Sequence, residues 1–289
     1  MRTLVKKVLR SVAGYDPGYY DMHDDPNEAF FGRLYLDRIE EQAQALGIAP
    51  PATVLEAGCQ TGRLAIPLAR AGFHVTGIDT SGFALRRAKR HAARAGVSVR
   101  WIRGDLAQVL ARRPEWQYDM VVCAEVLYLC RDYRRMLELL VRAVRPGGLL
   151  CVSHRPKAFY LIEALKRGRT DAAGFVLAHS EGLLDYHERG YFNWQSREEL
   201  EALYRGLGMR WLGAFPIDRY AWLMDLSPAR LTEDQRADLR TLERRGVEDK
   251  ESCARYLCVM TQRPEQPVRQ FNSSSVDQLV HSRTDEPMN

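Results

Sequence analysis

The stretch Val54-Leu55-Glu56-Ala57-Gly58-Cys59-Gln60-Thr61-Gly62 decides how the rest of the chain is read. Thr53 to Ala57 is short and apolar and reads as a strand, and Arg63 to Ala71 reads as a helix. The two glycines therefore fall on a strand-to-helix turn. Glycine there allows left-handed backbone and close approach of a ligand. The helix that follows begins with N–H groups that have no intrahelical partner. The dinucleotide fingerprint G-x-G-x-x-G, begun at Gly58, needs glycine where Gln60 and Arg63 stand, so it fails at both.

Working outward, apolar strands and amphipathic helices alternate. Strands are expected at Phe73 to Ile78, Val97 to Ile102, Tyr118 to Cys123 and Leu149 to Ser153. Helices are expected at Gly82 to Ala95, Leu106 to Arg112 and Tyr133 to Val144. Such alternation implies an α/β fold with a doubly wound, mostly parallel sheet and right-handed crossovers. Upstream, one helix runs from Pro26 towards Gly47. Downstream, residues 154 to 195 read as a long irregular stretch rich in aromatics and histidine. A helix then starts at Ser196, with Glu199 completing a capping box. A strand near Met209 to Ala214, a polar helix from Thr232 to Arg245 and a last strand at Arg255 to Thr261 follow. The expected organisation is a helical cap (1–50), a main domain (51–263) with 154–195 as a lid or acceptor-binding segment, and a polar, disordered tail (264–289).

Two further acids end strands on the same edge as the glycine turn. Asp79 closes the second strand, where a carboxylate can accept both hydroxyls of a ribose. Asp105 follows the third, within reach of an adenine amino group. Either alone reads equally well as a helix N-cap. With Glu56 they make three carboxylates at three neighbouring strand ends, the edge where doubly wound sheets bind ligands, and a nucleoside site is the better reading.

Residues 53 to 153 resemble the class I S-adenosylmethionine-dependent methyltransferases, and among them the small-molecule group that includes the ubiquinone-biosynthesis O-methyltransferases. The resemblance rests on the Glu56 to Gly62 loop (E/D-x-G-x-G-x-G, missing only at Gln60), Val75 to Asp79, Gly104-Asp105, Tyr118 to Leu127, and Arg145-Pro146-Gly147-Gly148-Leu149. It implies a seven-stranded Rossmann-like sheet whose seventh strand is antiparallel, and S-adenosylmethionine as cofactor. It also implies roles by position. Glu56 would lie beneath the methionine amino group, Gly58 and Gly62 would allow close backbone contact, Asp79 would hold the ribose, and Asp105 with Leu106 the adenine. Cys59, Gln60 and Thr80 complete the expected donor-binding set, and Glu125 would lie near sulfonium and acceptor. The sequence departs at Gln60, which is expected to narrow the loop. Ala124-Glu125-Val126-Leu127-Tyr128-Leu129 lacks the N/D-P-P-Y/F motif of many base N-methyltransferases, and Tyr128-Leu129 replaces the Glu-His pair frequent in the ubiquinone group.

The expected activity is methyl transfer to a small metabolite, oxygen before nitrogen or carbon. RNA or protein methylation, or a non-catalytic nucleoside-binding relative, are the alternatives. A hydroxyl acceptor must lose a proton, which calls for a base. His154, just after the fifth strand, is the first candidate, then His187, with Glu125 and Tyr128 as orienting groups; His179 is a further histidine in the same region. No metal is expected, because Asp21, His23, Asp24 and Asp25 lie on a polar turn that should face water.

A net charge of +5 is modest, and with only six lysines among 42 basic residues it forms no concentrated stripe, so nucleic acid is not an expected partner. Six cysteines without a C-x-x-C pair suit a reducing cytoplasm. Residues 2 to 12 place Leu4, Val5, Val8 and Leu9 opposite Arg2, Lys6, Lys7 and Arg10. That pattern suits a helix capping the domain or, through residues 1–13, weak contact with a membrane surface. A monomer or homodimer is expected.

Overall fold

The computed structural model describes residues 20–185, 190–245 and 253–265. A seven-stranded sheet runs through it in the order β3-β2-β1-β4-β5-β9-β8. Its strands are β1 (Thr53–Ala57), β2 (His74–Asp79), β3 (Arg100–Arg103), β4 (Tyr118–Cys123), β5 (Val144–His154), β8 (Arg210–Ile217) and β9 (Tyr256–Gln262). The pairings from β3 across to β5 are parallel, and β9 is antiparallel to both of its neighbours. The expected architecture and the two late strands are therefore present.

The central strands β1, β4, β5 and β9 bury both faces, so strand periodicity sorts their side chains between two cores. Val54, Val122, Cys151 and Cys258 face one core. Leu55, Val121, Val152 and Val259 face the other. The first core is covered by α1 (Pro26–Ala45), whose Leu34, Tyr35 and Ile39 are buried. Asp25 caps this helix by accepting from the Asn27 and Glu28 amides, and Pro26 occupies its first turn, where no amide donor is needed. The short α2 (Ala65–Arg70) lies on the same side through Leu64, Ala65 and Leu68. Behind the second core stand α4 (Leu106–Ala111), α5 (Tyr133–Ala143) and α8 (Arg197–Gly206). The capping box at Ser196 and Glu199 is formed in both directions. α3 (Gly82–Arg94) joins β2 to β3.

The segment after β5 is not irregular. It folds into α6 (Lys157–Lys166), α7 (Thr170–Ala178) and a small hairpin of β6 (Glu181–Leu183) and β7 (Tyr191–Asn193). The sequence hides these helices because neither carries a clean polar stripe. In α7, Thr-Asp-Ala-Ala-Gly-Phe-Val-Leu-Ala is apolar nearly all round, and Leu165 and Leu177 remain exposed. Its aromatics pack on one another. Tyr160 meets Phe192 and Trp194 with ring centroids 5.3 Å apart, and the wholly buried Trp194 donates to the Val176 and His179 carbonyls. Two more short helices follow β8: α9 (Tyr220–Leu223) and α10 (Glu233–Arg245). Arg240 of α10 pairs with the buried Asp37 of α1. The amphipathic segment within residues 1–13 and positions 266–289 of the expected tail lie outside the described residues.

Candidate active site

The turn after β1 is tied back into the sheet: the Gly58 and Cys59 amides both donate to the Ile78 carbonyl, at 2.8 and 3.0 Å. Gly58 and Gly62 take φ of +85° and +89°, the left-handed region that glycine enters without cost. A Cβ on Gly58 would overlap Val126 Cγ2, and one on Gly62 would come within 2.9 Å of Ile66 Cδ1. Glycine at these two positions lets Val126 and Ile66 pack directly against the turn backbone.

Gln60 sits at φ +43°, the left-handed conformation its missing glycine would have taken freely. Its side chain is engaged by neighbouring residues. The amide nitrogen donates to the Tyr20 carbonyl, and Oε1 accepts from the Met22 amide and the Thr61 hydroxyl. Gln60 therefore fastens residues 20–22 to the turn, and the Thr61 hydroxyl accepts from the His23 amide beside it.

Glu56 is buried, and its Oε2 accepts from the Ala65 amide at 2.7 Å, the opening of α2. Burial pushes this carboxyl up to about 8 against the pull of that amide and of Arg63. It is an acidic group set in the core with no cation bonded to it among the described residues, and an ammonium group would suit its ionised form. Asp79 accepts from the Gln60 amide at 2.9 Å and the Ser81 amide at 2.7 Å. The N-cap of α3 is Ser81, so Asp79 is not spent on capping, and Thr80 lies between them. Asp105 does cap its helix, accepting from the Gln108 amide at 2.9 Å, while Leu106 beside it is buried. The capping role accounts for Asp105 by itself, yet its exposed carboxylate keeps unused acceptor capacity. Cys59 is buried, and burial pushes its thiol well up, so it fills space as a small hydrophobe.

At the ends of β4, β5 and β9 a second constellation faces the α1 side of the sheet. Glu125 holds a left-handed φ of +61°, unusual for a side-chain-bearing residue, and its amide donates to the Ser153 hydroxyl at 2.6 Å. Its Oε1 accepts from Arg63 Nη2 at 2.6 Å and its Oε2 from the Tyr256 hydroxyl at 3.1 Å. Arg63 also pairs with Glu28 of α1, which in turn accepts from the Tyr20 hydroxyl at 3.0 Å. Burial opposes the charge on Glu125, but Arg63 outweighs it and holds the carboxyl below its ordinary value. On Glu28 burial wins over Arg63 and the shift is upward. Arg155 donates to the Tyr256 hydroxyl at 3.0 Å and lies over the Tyr128 ring at 4.7 Å. The sequence reading named Glu125 and Tyr128 here but missed Glu28, Arg63, Arg155 and Tyr256.

His154 does not join this group. β5 alternates, so Ser153 points to the α1 side and His154 to the opposite core. The ring is wholly buried, with Nε2 2.9 Å from the Tyr204 hydroxyl of α8 and ring centroids 5.8 Å apart. Burial pushes it down to about 3, so it stays neutral. A base closed off on the wrong face of the sheet cannot meet an acceptor, and His154 is a core residue. His179 is bonded to the Phe175 carbonyl and stacked on that ring, and His187 lies outside the described residues.

The acidic turn also differs from expectation. Asp21 is buried rather than in water, paired with Arg87 and with His91 Nε2 at 3.1 Å. Its carboxyl is drawn down to about 2 although burial works the other way, because Thr61, His91 and Arg87 hydrogen-bond the ionised form. His23, Asp24 and His91 bring ligand atoms within 4.8 Å of one another. Both nitrogens of His91 already face carboxylates, Asp21 on one side and Asp24 on the other, an arrangement that clamps the turn to α3.

The sequence profile of the methyltransferase domain family matches residues 54–148, from β1 to the glycine pair before the apolar half of β5. The ubiquinone biosynthesis O-methyltransferase of Ralstonia nicotianae is 35% identical over 168 residues, covering 53% of this chain and 68% of that protein. Its counterpart from Nitrosomonas europaea is 30% identical, covering 56% of this chain and 77% of that protein. The chain belongs to the S-adenosylmethionine-dependent methyltransferases. Among solved structures, magnesium protoporphyrin IX methyltransferase from Synechocystis with bound S-adenosylhomocysteine superposes with a TM-score of 0.54 at 19% identity, covering 91% of this chain and all of that one. The [4+2]-cyclase SpnF reaches 0.51 at 19% identity, over 91% and 93% of the two chains. These two likenesses concern the fold of the methyltransferase. No helix among its described residues is long and apolar enough to cross a membrane.

Proposed function

We propose that this methyltransferase acts on an oxygen of a small-molecule acceptor bound at the ends of β4, β5 and β9. The observation that carries the reading is the division of the sheet's carboxyl edge. One half is a glycine-lined turn with Glu56, Asp79 and Asp105 at three adjacent strand ends. The other is a walled site around Glu125. On the donor half, Glu56 would meet the methionine ammonium, Gly58 and Gly62 would let the backbone approach, and Cys59 and Gln60 on that turn with Thr80 after β2 would complete the donor-binding set. Asp79 would hold the ribose, and Asp105 with Leu106 the adenine.

The bound donor supplies a methyl on a sulfonium, whose C–S electron pair returns to sulfur as the acceptor oxygen bonds to carbon. What remains for the protein is proximity and alignment, and the hydroxyl proton, held in a hydrogen bond to Glu125 during transfer, would pass to solvent water as the C–O bond forms. Glu125 is the ionised carboxylate at this edge, held by Arg63 and Tyr256. Its depressed proton affinity suits it to orient an acceptor hydroxyl through a charge-assisted hydrogen bond, with Tyr128 as the adjoining wall. The names of the relatives, ubiquinone biosynthesis O-methyltransferases, support oxygen as the acceptor atom.

The test is calorimetric titration of S-adenosylhomocysteine into the wild type and Asp79→Ala, followed by methyl transfer to a panel of phenols. Micromolar binding lost about 100-fold in the variant is expected, the equivalent of roughly 2.7 kcal/mol of charged hydrogen bonding. Binding indifferent to Asp79 would remove the ribose assignment. Transfer confined to nitrogen, to RNA or to protein would remove the oxygen reading.

A further inference from the structure

Three cations and three carboxylates converge near the acceptor half of the edge, and they do not pair evenly. Arg63 takes both Glu28 and Glu125, and Arg255 takes Asp218 at 3.2 Å. Arg155 has no carboxylate within ion-pair reach among the described residues, and its one polar contact is the Tyr256 hydroxyl. Its Nε is buried and has no hydrogen-bond partner among the described residues. A guanidinium carries five N–H donors and cannot shed its charge, so a largely enclosed one is normally met by an anion.

The surroundings of Arg155 describe that anion. The guanidinium carbon lies 4.3 Å from the Phe159 ring centroid, 4.7 Å from that of Tyr128 and 5.0 Å from that of Tyr256. These rings hold the fork in place, which lowers the entropy lost when it binds. A planar fork matches a carboxylate with two parallel hydrogen bonds, and flat aromatic walls suit a flat ligand body. The Tyr256 hydroxyl links Arg155 to Glu125, so an acid held on the fork stands one residue away from the group assigned to orient the hydroxyl.

We propose that Arg155 receives the carboxylate of the acceptor, and that the acceptor class is hydroxylated aromatic acids. This rests on the reading of the β4–β5–β9 edge as the acceptor site. Glu125 at one end and Arg155 at the other then set which group of the ligand meets the donor.

The experiment measures binding to wild-type protein saturated with S-adenosylhomocysteine. The probes are 4-hydroxybenzoate, 3,4-dihydroxybenzoate and 4-hydroxycinnamate, each beside its neutral amide. At least one acid should bind about 10- to 100-fold more tightly than its amide, the range of one charge-assisted pair. In Arg155→Gln the preference should collapse to less than about threefold with S-adenosylhomocysteine affinity unchanged, and Arg155→Lys should keep part of it. Should Arg155→Gln fail to fold, the wild-type acid-to-amide ratio and the Lys variant carry the test. Equal binding of acids and amides, a preference that survives Arg155→Gln, or no acid binding at millimolar concentration would overturn the proposal. Arg155-dependent binding without methylation of the ring hydroxyl would count against the oxygen reading alone.

Discussion

The two halves of the sheet's carboxyl edge are built by different means. The donor half is made of backbone: positive-φ glycines, amides donating to Ile78 and Asp79, and a helix opening that donates to Glu56. Its members lie between residues 56 and 106, each at the end of its own strand or on the turn that follows it. The acceptor half is made of side chains brought from far apart. Glu28 on α1, Arg63 before α2, Glu125 after β4, Arg155 after β5 and Tyr256 on β9 meet through bonds spanning up to 131 residues. The profile match spans residues 54–148, so it takes in Arg63, Glu125 and Tyr128 but not Glu28, Ser153, Arg155 or Tyr256. The turn side of the edge is thus a short local pattern, while the wall around Glu125 is completed by residues outside it.

The comparison breaks most visibly at Arg63. Replacing it with Met leaves Glu28 and Glu125 buried without their cation, a loss of about 3–5 kcal/mol. At about 2–4 °C per kcal/mol, the melting temperature should fall by roughly 10 °C. A drop of only a degree or two would mean that the acceptor wall is not held by this pair.

Next comes Gly58→Ala. The left-handed φ and the overlap with Val126 each cost on the order of 1–3 kcal/mol. Donor affinity should fall at least about tenfold, and methyl transfer with it. An alanine tolerated in both stability and donor binding would show the turn to be looser than its geometry.

Glu56 offers a milder, pH-dependent test of the donor half. With its carboxyl raised to about 8, the free protein holds this group largely protonated at neutral pH. The raised value means the folded state favours the acid form, so stability contributed by this group falls as pH rises from the ordinary carboxylate range through about 8. A ligand ammonium favours the carboxylate, so binding near pH 7 should release a proton. S-adenosylhomocysteine affinity should then rise between pH 6 and 8, by at most about tenfold per unit. Calorimetry in buffers of different ionisation enthalpy reads the proton directly, and Glu56→Gln should abolish it. Buffer-independent heats in the wild type would sink the assignment of Glu56 to the ammonium.

The smallest effect sharpens the contrast from the other side. His154→Asn should leave kcat within about twofold, because the ring serves the core under α8. A large loss of kcat in a variant that melts normally would return His154 to the chemistry.

How much was legible follows from the same physics. The alternation of strands and helices, the glycine turn and the three strand-end acids were readable because each is local, with period, turn chemistry and spacing carrying the information. Reading β5 by its period of two would also have found the error at His154, since it shares a face with Leu150 and Val152. The helices α6 and α7 were hidden because apolar residues such as Leu165, Phe175 and Leu177 stand exposed on them, so no clean polar stripe remains.

The sequence alone determined the sheet, its donor turn and the class of chemistry, since backbone freedom at glycine and acids at strand ends are properties of short segments. It also located Gln60 as the odd residue of the turn. Only the tertiary structure decided that the Gln60 amide holds residues 20–22, and that Asp21 is buried against Arg87 and His91. The same holds for the wall of Arg63, Glu125, Tyr256 and Arg155, since no local pattern encodes the pairing of charges that become neighbours only when distant strands close into one sheet.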